Sequence, residues 1–337
     1  MLGVKMSSTK NVSFLRSLIN SVIALIIGAV IAVALAEVIT RFAMPIFPGM
    51  HKLNAEGEPV TFHNVAPNSV YRQFSAEFDA HTTINKDGYR IPDAKDKNPD
   101  VVFIGDSFTY GQGLSDDETF VMKYCTQAKL SCMNLGVPGY GTIDAVERLE
   151  TFLTEKQVHP RKVYLVMLAM TSFLGAGNDL YDNIKTVEAR NDPQKNEHEE
   201  SESTLRKAAN KILQHSNFAR VIKFYFAPMI KKAFVVAPEE NLLQEGLVLT
   251  KQQLDKLQAL SKTHNFEFEV VLIHPVQDIS RGSHQETFKA IQAISPVKVI
   301  PTAKFFEPDP SDYYFSMDGH FNKAGSDKMV ELFLSID

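Results

Sequence analysis

The stretch Asp100-Val101-Val102-Phe103-Ile104-Gly105-Asp106-Ser107-Phe108-Thr109-Tyr110-Gly111 decides the fold. Four apolar residues without a polar alternate, bounded by polar ones, describe a strand buried on both faces. The chain then breaks at a glycine and sets a serine directly past the carboxyl end of that strand. The same grammar recurs downstream. Helical spacing over 117–129 (Phe120, Tyr124, Ala128) precedes a second strand, Ser131 to Leu135, and a helix over about 142–156 precedes the strand Lys162 to Leu168. A helix at about 250–263, the strand Phe268 to Ile273, a helix near 284–293, the strand Val297 to Ile300 and a closing helix from about Lys323 complete the series. Strands separated by helices of this length imply a parallel sheet covered on both sides, an α/β chain built as a three-layer α/β/α sandwich. Active sites of such sheets lie beyond the carboxyl ends of the strands.

Away from this core the pattern changes. Residues 184–203 break it, and Asn191 to Glu200 is too polar to bury a core and reads as a solvated loop. A helical segment from about Leu205 to Phe234 follows, within an insertion spanning about 184–248. It has three readings: a cap, a membrane-docking face, or an extra core helix, which is preferred. Residues 40–98 form a polar connector and lead-in segment containing the turn-like Asn85-Lys86-Asp87-Gly88-Tyr89-Arg90, and residues 99–337 form the α/β domain.

The N-terminus is of another kind. Ser17 to Ala36 is 20 residues without a charge, about 30 Å of helix and so the thickness of a bilayer core. Lys5, Lys10 and Arg16 precede it, which leaves residues 1–16 in the cytoplasm, makes 17–39 a transmembrane signal-anchor and sends the rest across. A cleaved signal peptide ending at Ala34-Leu35-Ala36 is the rival; a buried core helix would show a polar face that this stretch lacks. The first hundred residues contain no cysteine, which excludes lipidation at a processed N-terminal cysteine. Cys125 and Cys132, the two cysteines of the chain, are read equally well as a disulfide or as two buried thiols.

Composition removes several function classes. A net charge of −5, with Lys and Arg scattered, gives nucleic acid no basic face. The glycines from Gly136 to Gly141 match neither G-x-G-x-x-G nor a P-loop, so no nucleotide is expected. His51, His63 and His81 lack metal spacing, and His274, after the fourth strand, reads as structural. No metal and no cofactor are expected.

The chemistry gathers at strand ends. Ser107 alone reads as a turn or cap residue, and Thr109 stands where the G-x-S-x-G elbow requires glycine. Yet the loop after the second strand is Asn134-Leu135-Gly136-Val137-Pro138-Gly139-Tyr140-Gly141-Thr142, that after the third holds Gly175-Ala176-Gly177-Asn178-Asp179, and Asp318-Gly319-His320-Phe321-Asn322 stands near the C-terminus. A nucleophile, a base, an orienter for the base and oxyanion donors are what acyl transfer needs.

These four blocks, in order over about residues 100–326, resemble those of the SGNH hydrolase superfamily, the GDSL-like esterases, and Asn85 to Arg90 resembles the lead-in of membrane-anchored bacterial members. The resemblance implies a flavodoxin-like sheet, Ser107 as nucleophile, His320 as base and Asp318 as its acid. It also implies an oxyanion hole from the N–H groups of Ser107 and Gly139 and the Asn178 side chain. The motif around Asn178 lacks one residue of G-x-N-D, and Asp318-Gly319-His320 is D-x-H where many members have D-x-x-H, so Asp312 is a second candidate acid. The implied activity is a serine esterase acting on acylated glycan or lipid outside the cytoplasm. An O-acyltransferase with the same triad and a non-catalytic carbohydrate-binding protein are the rivals.

Overall fold

A helix of 37 residues, α1 (Ser7–Ala43), opens the chain. Its segment Leu18–Ala43 has a mean hydropathy of 2.9 and is long and apolar enough to cross a membrane. A computed structural model describes residues 7–43, 51–57, 66–92, 98–192, 212, 216–222 and 240–336. Two units are distinguished: residues 1–47 with 202–234, and 48–201 with 235–337. In the first, Glu37 accepts hydrogen bonds from Ser216 Oγ (2.7 Å) and from the N–H groups of Asn217 (3.1 Å) and Phe218 (3.0 Å). It thereby satisfies donors at the start of the helical stretch 217–222. The described part of the expected helical segment, 216–222, groups with α1 and is tied to it through Glu37. The rest of the segment from Leu205 to Phe234, apart from Ile212, and the expected solvated loop from residue 193 onward lie outside the described residues.

The second unit begins with a small antiparallel sheet of β1 (His51–Leu53), β2 (Ser69–Phe74) and β3 (Asp79–Ile84). The lead-in segment is therefore not merely a connector. Tyr71 and Gln73 of β2 and Ala80, Thr82 and Ile84 of β3 are buried, while Arg72, Asp79 and His81 are exposed, the period of two that a half-buried hairpin requires.

The main sheet comprises β4 (Val101–Gly105), β5 (Cys132–Asn134), β6 (Lys162–Leu168), β7 (Glu267–Ile273) and β8 (Val299–Pro301), all parallel in the order β5-β4-β6-β7-β8. Alternate residues feed opposite layers. Val102, Ile104, Val163, Leu165 and Met167 face a core completed by α4 (Thr142–Lys156) and α6 (Glu240–His264). Val101, Phe103, Tyr164, Val166 and Val271 face one completed by α3 (Phe120–Ala128) and α10 (Lys323–Ile336). Between the carboxyl ends of β4 and β6 the chain order reverses, the place where open α/β sheets bind ligands. Cys125, near the end of α3, is joined to Cys132 of β5 by a disulfide.

Two helices depart from the sequence reading. An α5 (Asp179–Asn191) runs into the stretch where the pattern was expected to break. Its apolar stripe is narrow, Leu180 and Ile184 being buried one turn apart, so a mostly polar segment concealed it. Helix α6 starts at Glu240, before the expected position near 250. Its Gly246 lowers helix propensity but permits close packing, since a Cβ there would stand 2.7 Å from Leu180 O.

Two measurements check this architecture. The Phe103 ring packs against Phe120, Tyr124, Tyr164 and Phe333 at centroid distances of 5.1–6.0 Å. Phe103→Ala is expected to cost about 3–5 kcal/mol, read as a lower urea midpoint at unchanged m. His274, past the end of β7, is fully buried with neither ring nitrogen hydrogen-bonded, and burial, helped by His284, pushes its imidazole down to about 3. Below about pH 6.5 the unfolded chain binds a proton that the native state refuses. Stability therefore falls with falling pH down to about 3, by up to about 1.4 kcal/mol per pH unit. Asp106 and Asp182, raised by burial to about 6 and about 7, tilt stability the other way. The difference between wild type and His274→Phe in thermal unfolding from pH 7 to 4.5 isolates the histidine, and the variant should lose less stability on acidification.

Candidate active site

Backbone contact between neighbouring strands sets the position of Ser107. Gly105 ends β4 at φ +150°, and a Cβ there would collide with Val166 O of β6 and Thr109 Oγ1. Only glycine lets the strand turn this close to its neighbour. Asp106 then caps the short helix α2 (Ser107–Tyr110), its Oδ1 accepting the Phe108 N–H at 2.8 Å. Ser107 is the first residue of that helix, where main-chain N–H groups have no intrahelical acceptor. The loop after β5 runs along the same edge: Leu135 N–H donates to Phe103 O (2.8 Å) and Val137 N–H to Gly105 O (3.1 Å). Gly136 fits there because a Cβ would stand 2.5 Å from Tyr110 N and 2.8 Å from Thr109 Cβ. Gly139, farther along the loop, is exposed, with no heavy atom within 4 Å of where a Cβ would lie.

The C-terminal turn meets this edge. Ser107 Oγ lies 2.5 Å from His320 Nε2, and His320 Nδ1 lies 2.5 Å from Asp318 Oδ1. Ser107, Asp318 and His320 are thus brought together across more than 200 residues of sequence. Burial raises the Asp318 carboxyl, but the hydrogen bond and charge of His320 outweigh it and hold the group below its ordinary value. The Phe108 ring packs 4.7 Å from the imidazole. Asp312 lies elsewhere, exposed in the 3-10 turn Pro310–Tyr313, with its carbonyl accepting the Asn322 amide at 2.8 Å.

Three contributors were missed by sequence reasoning. Gln112 directs Nε2 at Asp318 Oδ2 (3.4 Å) and His320 Nδ1 (3.3 Å); its setting between Gly111 and Gly113 was the one signal available. Arg90 is 1% exposed and donates to the carbonyls of Tyr110 (2.8 Å), Gly111 (2.6 Å) and Leu114 (2.6 Å), so it binds the loop behind the nucleophile. Its charge is met by Asp116 at 3.2 Å, whose carboxylate also accepts the Thr83 N–H. Glu77, at the turn between β2 and β3, accepts hydrogen bonds from Ser316 Oγ and the N–H groups of Met317 and Asp318.

Asn178 is bonded within its own loop. Its side-chain amide donates to Met170 O (2.8 Å) and Phe173 O (2.6 Å), and its Oδ1 accepts the Leu180 N–H at 3.2 Å as the cap of α5. Both amide hydrogens are engaged and the residue is fully buried, so Asn178 ties down the loop after β6. The neighbouring Asp179 is buried, and burial together with the charges of Asp106 and Asp182 pushes its carboxyl well above the ordinary value. Among the described residues no group of three or more His, Cys, Asp or Glu could hold a metal ion. If Asn178 serves the loop, Asn178→Ala should lower stability by about 1–3 kcal/mol and ester turnover by less than about tenfold. Loss of an oxyanion donor would instead cost about 10²–10³-fold in kcat. Thermal unfolding and steady-state kinetics on the same preparation separate the two.

Solved structures similar to the chain include a protein assigned to the G-D-S-L lipolytic family from Desulfitobacterium hafniense DCB-2, at 12% identity, 70% coverage of this chain, 97% of that one and a TM-score of 0.40. LAE5, an alpha/beta hydrolase enzyme from the metagenome of Lake Arreo, Spain, is similar at 12% identity, 70% and 93% coverage and a TM-score of 0.37. A carbohydrate esterase family 2 enzyme with a carbohydrate-binding domain from Corynascus thermopiles (Myceliophthora fergusii) is similar at 11% identity, 85% and 86% coverage and a TM-score of 0.37. No curated protein matches the chain. Residues 101–333, from the first strand of the main sheet to its closing helix, match the GDSL-like lipase/acylhydrolase family, and the chain belongs to that family.

Proposed function

We propose that this chain is a membrane-anchored serine esterase that hydrolyses short acyl esters, acetyl above all, on cell-envelope carbohydrate or lipid, through an acyl-enzyme on Ser107. The observation that carries the reading is the continuous chain of contacts from Ser107 Oγ through the His320 imidazole to Asp318 Oδ1. The implied order of events follows from those atoms. His320 Nε2 takes the hydroxyl proton as Ser107 Oγ attacks the ester carbonyl, while Asp318 holds Nδ1–H and stabilises the imidazolium. The tetrahedral oxyanion is received by the N–H groups of Ser107 and Gly139. Collapse returns the proton from Nε2 to the leaving alcohol and leaves an acyl-serine. Water, activated by the same nitrogen, then releases the carboxylic acid and frees Ser107. No cofactor enters the balance.

The apolar helix Leu18–Ala43 supports a tether to the membrane, and the Cys125–Cys132 disulfide supports an oxidising, extracytoplasmic setting for the domain. The site residues equally fit transfer of the acyl group to a sugar hydroxyl in place of water, and a product assay with added oligosaccharide tells the two apart.

The detergent-solubilised chain is expected to hydrolyse p-nitrophenyl acetate faster than its longer homologues. Ser107→Ala and His320→Ala should each lower kcat by roughly 10³-fold or more, while Asp312→Asn leaves it unchanged. Equal turnover by wild type and Ser107→Ala would falsify the mechanism.

A further inference from the structure

The acid and base of this site share one small turn, and the main sheet does not build it. Phe315 N–H donates to His320 O at 2.8 Å and Gly319 N–H to Phe315 O at 2.9 Å, which closes a loop whose residues Ser316, Met317 and Gly319 are exposed. A loop of this kind, exposed at its tip and two residues from the base, has little of its own to keep Asp318 in register. The constraint comes from the small sheet. The Glu77 carboxylate, at the β2–β3 turn, accepts from Asp318 N–H (2.8 Å), from Met317 N–H (3.0 Å to each oxygen) and from Ser316 Oγ (2.8 Å). Beside it, the Phe78 ring packs on Phe315 at a centroid distance of 4.9 Å. The same hairpin reaches the nucleophile loop, where Gly113 N–H donates to Gln73 Oε1 at 3.4 Å and His81 N–H to Ser115 Oγ at 3.3 Å. One hairpin therefore touches both halves of the triad, the loop behind Ser107 and the turn bearing Asp318.

We propose that Glu77 is a positioning residue for catalysis: by accepting from the N–H groups of Met317 and Asp318 and the Ser316 hydroxyl it fixes the turn that holds Asp318 against His320. The proposal rests on the triad reading above. Charge-assisted bonds from a carboxylate to main-chain N–H groups are among the stronger local constraints available to a surface loop, and misplacement by about 1 Å in an acid–base pair costs on the order of 10²-fold in rate. Glu77 touches neither the imidazole nor the nucleophile; it acts through Asp318.

The test uses the full-length chain in detergent with p-nitrophenyl acetate, and compares Glu77→Ala, Glu77→Gln, Asp318→Ala and the Glu77→Ala/Asp318→Ala double variant. Asp79→Asn, at the start of β3 just after Phe78, is the control and should keep wild-type turnover. Glu77→Ala is expected to lower kcat by roughly 10- to 100-fold with KM within about twofold. Glu77→Gln, which retains an acceptor oxygen and the fold, should fall between it and wild type. In the Asp318→Ala background, Glu77→Ala should cost less than about twofold more, because residues acting through one contact are not additive. The same fold-loss in both backgrounds, or wild-type kcat in both Glu77 variants, overturns the proposal while leaving the triad intact. Turnover that survives Ser107→Ala overturns the triad and Glu77's role together.

Discussion

A guanidinium without access to solvent organises the active-site half of this molecule. Arg90 donates to three carbonyls of the loop that follows the nucleophile and meets Asp116 beside them. A buried charge is tolerated only where its hydrogen-bonding capacity is filled, and here the acceptors are the main chain of the loop itself. The requirement runs both ways: the loop gains a fixed path from Tyr110 to Leu114, and the arginine gains the partners without which it would not enter the interior. Tyr110 also lies beneath the guanidinium at 5.0 Å, adding an aromatic face to the same contact.

The proposed triad is consequently supported by two different structures. Ser107 stands on the main sheet, where Gly105 brings β4 against Val166 and the β5 loop closes over α2. Hydrophobic burial on both faces of that sheet makes this position rigid. Asp318 and His320 stand on a turn whose outer residues are exposed, held by the small antiparallel sheet through Glu77 and Phe78. Core packing holds one side and a carboxylate clamp the other, so the exposed turn is fixed without being buried. The cost appears in the carboxyl groups nearby: Asp106, Asp179 and Asp182 are all pushed upward by burial. Such groups are retained where geometry is needed more than stability.

In the unit that contains α1, Glu37 interrupts the apolar character of that helix near its end and caps the 217–222 stretch. The insertion that separates α5 from α6 therefore has at least one anchor on the N-terminal helix. This relates the N-terminal helix and the insertion by a specific interaction, whereas composition alone offered three readings of the segment.

The sequence by itself determined the main sheet and the order of its site loops. Helix 142–156 and strand 162–168 stand where their apolar spacing put them, because patterning is a local property read directly from residue order. The blocks around Ser107 and His320 were legible for the same reason: short glycine-bearing turns at strand ends announce themselves. Tertiary structure decided what pattern could not. Whether Asp318 or Asp312 meets His320, whether Cys125 bonds Cys132, and where the Asn178 amide points each depend on contacts that only folding creates. The small sheet was missed because its strands are three to six residues long amid polar neighbours, and its importance lies in where Arg90 and Glu77 end. A side chain's chemistry is written in its own residue, but the partner that gives it a role lies tens to hundreds of positions away, and only the folded chain brings the two into contact.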